Sequence, residues 1–269
     1  MSANCYRHRI TATGRLTLYP MLIVLPPSET KAAGGSGAPI DWQSLSFPEL
    51  NPTRKSILAD LLALEPSAMQ QALKLSDKMT AEVEANHNIP DAPTCPAIER
   101  YTGVLYDALD AASLTDTARA RLAVGSALFG VVRAGDMIPR YRLSGGSKIP
   151  GAGYPTPPTM KARWATTLTA VIDRLVAEEG PVVDMRSGAY RNLGPATGAI
   201  DVRVESVQPD GSRKVVSHHN KHYKGVAARK LALAEGEPET IDDIAAVIED
   251  ADTMVEVSSP TALTMIVQR

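Results

Sequence analysis

Hydrophobic and polar positions along this chain fall into two periods. Met21-Leu-Ile-Val-Leu25 is an unbroken apolar run closed by Pro26 and Pro27, which predicts a strand buried on both faces. Pro181 to Met185 predicts a second strand. Alternation over Val202 to Val207 and Arg213 to Ser217, around Pro209-Asp-Gly-Ser212, predicts a hairpin. Met254 to Val257 and Leu263 to Val267 predict another. Helical spacing is clearest after Thr159, a candidate cap. It runs through Trp164, Leu168, Val171, Ile172, Leu175 and Val176 to a stop at Gly180. Further helices are expected from Thr53 to Leu64, from Ser67 to Leu75, after Thr115 and over Lys224 to Ala234. One more starts at Thr240, which has capping-box spacing to Asp243. Residues 97–110 predict a strand and then a helix, and Leu128 to Val132 a strand.

Strands and helices mix without strict alternation. The expected class is therefore α+β, or mixed α/β, with a mixed sheet and surrounding helices in one domain over residues 21–269. Residues 1–20 hold Arg7, Arg9 and Arg15 and no acid, and are read as an extension, disordered, or a misassigned start. A basic stretch before a short apolar run also mimics a signal peptide, but Met21 to Leu25 suits a buried first strand better.

Composition narrows the function classes. Of the 269 residues 44% are apolar, enough for a large core, and no apolar run reaches membrane-spanning length. The net charge of −2 gives no overall attraction to nucleic acid or membrane, so any anion site needs local clustering. Cys5 and Cys95 are the only cysteines, which disfavours a disulfide framework or thiolate zinc site and fits a cytoplasmic setting.

Four stretches carry candidate chemistry. Ser217-His-His-Asn-Lys-His-Tyr-Lys-Gly225 holds three of the five histidines, His218, His219 and His222, with Lys221 and Lys224. The two lysines disfavour a metal, and a strand-to-helix turn here suits phosphate, carboxylate or sulfate. Gly225 would let a neighbouring chain or ligand come close. Gly130 to Leu143 gathers Arg133, Arg140 and Arg142 around Tyr141, cations suited to phosphates. Its glycines five residues apart give it a slight likeness to a helix-hairpin-helix hairpin. Val183 to Tyr190 brings Asp184, Arg186 and Tyr190 to a strand end, where Asp184 and Arg186 either meet a ligand or pair with each other. Ser28 and Lys31 have the S-x-x-K spacing of serine acyl enzymes, but without the companion motifs, so a polar anion-binding loop is the better reading.

Five segments, Met21 to Lys31, Tyr101 to Tyr106, Leu128 to Leu143, Val183 to Tyr190 and Ser217 to Gly225, together resemble the YaaA family of bacterial peroxide stress proteins. The resemblance implies a cytoplasmic protein with a mixed α/β fold, a positively charged cleft, a helix-hairpin-helix-like element and DNA binding that limits oxidative damage. Carried over, the anion or DNA-binding candidates are Lys31, Arg133, Arg140, Arg142, Arg186, Lys221 and Lys224, with Ser28 added from the loop reading. The chain departs from members that have lysine where Glu29 stands.

Two functions follow as expectations. One is a monomeric peroxide-response protein holding double-stranded DNA or another polyanion. The alternative is an enzyme on a small phosphate- or carboxylate-bearing substrate. There His219 or His222 acts as acid or base, Lys221 or Lys224 holds the anion, and Asp184 and Tyr190 orient the substrate. No cofactor, metal or membrane contact is expected in either.

Overall fold

The computed structural model describes residues 21–215 and 220–267. The expected N-terminal extension, Cys5, and Ser217, His218 and His219 lie outside the described residues. The first half of the chain forms β1 (Leu22–Leu25), α1 (Asn51–Leu62), α2 (Pro66–Leu73), α3 (Thr80–His87), β2 (Cys95–Pro96), α4 (Ala97–Arg100), α5 (Val104–Leu109) and α6 (Asp116–Ala120). Then follow β3 (Leu122–Ser126), β4 (Gly130–Arg133), β5 (Met137–Ile138), α7 (Met160–Glu178), β6 (Val182–Asp184), α8 (Gly188–Arg191) and β7 (Ile200–Val207). The chain ends with β8 (Arg213–Val215), α9 (Asn220–Ala232), α10 (Ile241–Ile248), β9 (Thr253–Ser259) and β10 (Ala262–Val267).

The main sheet has the order β4-β3-β1-β6-β7-β10-β9, with β8 paired to β7. Strands β3, β1, β6, β7 and β10 run parallel, and β4, β8 and β9 are antiparallel to their neighbours. The class is mixed α/β in one domain. Residues of β1, β3 and β6 are buried throughout, as continuous apolar runs between two covering layers must be. In β7 every second residue is buried, which is the alternation read from the sequence. Thr159 and Thr240 cap α7 and α10 through their hydroxyls, and Asp243 completes the capping box.

The structure departs from the expectations at residues 97–110, at β3 and over residues 130–143. Residues 97–110 are two short helices, because Gly103 at φ 98° breaks the chain between them. Only Tyr101 there is extended, bridging to Lys31. Strand β3 escaped the sequence reading: Leu-Ala-Val-Gly-Ser has few branched residues and follows a helix-like run without a break. It is a strand because it lies between β1 and β4. Residues 130–143 hold β4, a turn, β5 and extended chain, so they form no helix-hairpin-helix. Helix α9 opens at Asn220, close to the start near Lys221 that the strand-to-helix turn implies and ahead of Lys224.

The topology fixes where a ligand can meet the sheet. After β1 the chain moves to β3 on one side and later returns to β6 on the other. This reversal leaves the carboxyl ends of β1 and β6 as a crevice, the usual ligand position in open α/β sheets. Helix α9 packs there against α5. A Cβ on Gly225 would lie 2.3 Å from the Leu105 carbonyl oxygen, so the neighbour that comes close to this glycine is α5.

Candidate functional site

The loop leaving β1 dominates the crevice. Pro26 to Thr30, Thr102 to Tyr106 and Lys221 enclose a cleft of about 250 Å³. Tyr106 Oη donates to the Pro26 carbonyl at 2.9 Å and holds the loop onto α5. Ser28 Oγ and Thr30 Oγ1 are 3.2 Å apart, and both hydroxyls sit on the cleft wall. Lys221, exposed in the first turn of α9, lines the same cleft.

Lys31 turns away from this wall. Its Nζ donates to the Ser28 carbonyl at 2.9 Å and lies 4.5 Å from the Tyr141 ring centre and 5.4 Å from that of Tyr101. It contacts the Ser28 carbonyl and not the hydroxyl, so the S-x-x-K spacing does not assemble a lysine-activated serine. Burial lowers the Lys31 pKa to about 8, against the support of the Glu29 carboxylate. Behind it runs a buried hydroxyl chain. Tyr101 Oη and Tyr141 Oη are 2.8 Å apart, and Tyr141 Oη is 2.7 Å from Ser126 Oγ. Ser126 Oγ in turn accepts from the Leu128 and Phe129 amides. Burial pushes Tyr101 up to about 12 and Tyr141 well above the usual phenol range, so both are neutral donors. Tyr141 stood out in the sequence as the aromatic residue between Arg140 and Arg142, whereas Tyr101 did not, although it precedes Gly103 in a segment that carried the family resemblance.

The arginines are engaged by acids. Arg186 and Asp184 form a buried pair, with Nε to Oδ1 at 2.9 Å and Nη2 to Oδ2 at 2.8 Å. Their side chains are 1% and 5% exposed, so Asp184 orients Arg186 and has no face left for a substrate. Arg142 pairs with Glu29 at 2.9 Å and Arg140 with Glu82 at 2.7 Å. Arg133 is not at this site. It pairs with Ala123 at the amino end of β3, and its guanidinium holds Glu179 at 2.6 Å. Tyr190 stands beside Gly145, and burial raises its pKa well above the phenol range. His222 lies exposed on α9 next to Tyr223, and it is not on the cleft wall. The structure therefore gathers Ser28, Lys31, Arg142, Arg186, Tyr190, Lys221 and Lys224 around the carboxyl edge. It does not gather them into an uncompensated basic groove. Among the described residues no group of three His, Cys, Asp or Glu side chains is set to hold a metal. Among them too, no helix is long and apolar enough to cross a membrane.

Lys224 faces inward, its Nζ donating to the Met185 carbonyl at 3.1 Å, and burial lowers its pKa to about 8 from the ordinary 10.5. Between those two values the unfolded chain binds more protons than the folded one, so stability rises with pH across that window. The penalty is fully present below about 8 and gone above about 10.5. Lys224→Met will therefore raise stability at pH 7 by about 1–3 kcal/mol, a gain that shrinks by pH 10. Urea unfolding of both proteins at the two pH values measures it, and an equal gain at both would refute the buried-charge account.

These features define a mixed α/β protein with a ligand-sized recess where its strand order reverses. The chain belongs to the family described as peroxide stress protein YaaA, whose model matches residues 21–252. It is 56% identical to a UPF0246 protein of Corynebacterium efficiens over 238 residues, 88% of this chain and 96% of the relative. A UPF0246 protein of Streptomyces coelicolor is 39% identical over 249 residues, covering 89% and 94% of the two chains.

Proposed function

We propose that this peroxide stress family member works by binding a small phosphate- or carboxylate-bearing molecule in the recess at the carboxyl ends of β1 and β6. The observation that carries this reading is the division of its cations. Arg133, Arg140, Arg142 and Arg186 each hold a carboxylate, while Lys221 lines, with Ser28 and Thr30, a cleft of about 250 Å³. A duplex needs several uncompensated cations spread along a groove, since each phosphate contact releases a counterion. A cleft of this size takes a single small anion. Burial also pushes the Cys95 thiol up, which disfavours its thiolate.

Calorimetry with inorganic phosphate, nucleotides and short carboxylates tests the proposal. Saturable binding is expected, weakened about tenfold or more by Lys221→Ala, the loss of one charge-assisted contact. DNA binding with a steep salt slope, alongside no response to any small anion, would establish the polyanion alternative instead.

A further inference from the structure

We infer that the cleft selects a small zwitterion, a molecule that carries an ammonium as well as a phosphate or carboxylate, and that Glu29 is the residue that recognises the amine. The inference rests on the proposed small-anion function and adds the ligand class of that same cleft. Among the described residues that line it, Glu29 is the one acid and Lys221 the one cation. They come from different parts of the chain, the loop after β1 and the first turn of α9. Lys221 makes no ion pair among the described residues, so the two opposite charges do not cancel each other.

Arg142 holds the acid in place without covering it. Its Nη1 donates to the Glu29 backbone carbonyl at 2.8 Å, and its Nη2 lies 2.9 Å from Oε2. The Glu29 side chain is nonetheless 49% exposed, and among the described residues Oε1 accepts no hydrogen bond. Lys31, two residues further on, donates to the Ser28 carbonyl and not to this carboxylate. Glu29 therefore keeps an oxygen available to a donor, on a loop that a second residue steadies.

A carboxylate in the lining decides between ligands. A plain anion drawn to Lys221 also meets the negative charge of Glu29, and that repulsion works against it. An ammonium on the same ligand replaces the repulsion with a charge-assisted hydrogen bond. The rest of the lining includes the Ser28 and Thr30 hydroxyls and the apolar Pro26, Val104 and Leu105, which suit a short carbon stem with polar ends. At about 250 Å³ the cleft takes a molecule the size of one amino acid or amino phosphate.

Calorimetry with ligand pairs that differ only in the amine tests this: β-alanine against propionate, and phosphoethanolamine against ethyl phosphate. The wild-type protein should bind the amine-bearing member of each pair roughly tenfold more tightly, the effect of one charge-assisted hydrogen bond. Glu29→Gln should abolish that preference while binding propionate and ethyl phosphate as well as before or better, which also shows that the variant is folded. Lys221→Ala should weaken both members of each pair alike. If Glu29 serves only to tie down Arg142, its replacement will change stability and leave ligand choice alone. Equal affinities within the wild-type pairs, or a preference that survives Glu29→Gln, therefore overturns the inference and leaves the small-anion reading standing. Failure of all four ligands and of inorganic phosphate to bind defeats that reading, and this inference with it.

Discussion

Asp184→Ala will lower the unfolding free energy by about 3–5 kcal/mol, because it strands the buried Arg186 guanidinium without its counter-charge. The carboxylate also accepts the Arg186 backbone amide at 3.0 Å, so the substitution opens the turn after β6 as well. Arg186 Nη2 reaches on to the Gly194 carbonyl at 2.9 Å, which closes the loop that presents Tyr190. Its aliphatic stem lies on Gly125 of β3, where a Cβ would come within 2.7 Å of Arg186 Cδ. The pair therefore ties β6, β3 and the Tyr190 loop together at the carboxyl edge of the sheet. Replacing both residues, Asp184→Ala with Arg186→Met, should cost less than the single change, since no buried charge is then left alone. Chemical denaturation of the three variants measures this. A double variant as unstable as the sum of the two single ones would reject the pairing argument.

Arg121→Met will cost roughly 3 kcal/mol and will loosen α9 more than the sheet. Arg121 Nη1 donates to the Leu231, Ala232 and Ala234 carbonyls, the last at 2.9 Å. Nη2 reaches the Gly236 carbonyl and the Glu237 carboxylate, both at 2.7 Å. One guanidinium thus satisfies the unpaired carbonyls at the carboxyl end of α9, where the helix dipole also favours a cation. Its own backbone carbonyl accepts from the Ile23 amide of β1, so the same residue anchors the helix to the central strand. The opposite end of α9 carries Lys221 and Lys224. Hydrogen exchange should therefore show lost protection across residues 220–232 in the variant, together with weaker anion binding. Unchanged exchange in α9 would show that Arg121 is not its anchor.

Local rules decided much of the fold. Met21 to Leu25 is a buried strand because nothing in it tolerates water. Thr159 and Thr240 start helices because their hydroxyls satisfy amides three residues on. The two hairpins formed where alternation met turn residues. Strand β3 was not legible, because Ala and Gly carry little strand preference and only the neighbours on either side select the extended form.

The candidate site divides in the same way. Sequence placed Ser28, Lys31, Asp184, Arg186, Tyr190, Lys221 and Lys224 at strand ends and helix starts, and the reversal of strand order brings these segments to one edge. It did not separate the cations that are already matched from those that are not. Arg133 finds Glu179 across 46 residues of chain, and Arg140 finds Glu82 across 58. What the amino-acid order determined by itself was therefore the kind of chemistry at each position and the short-range elements that carry it. Only tertiary structure decided which charges cancel, which tyrosines stand behind Lys31, and that two lysines lie dry enough to lose their protons near neutral pH. A side chain's charge state depends on the water and counter-ions around it, and those are supplied by residues far away along the chain.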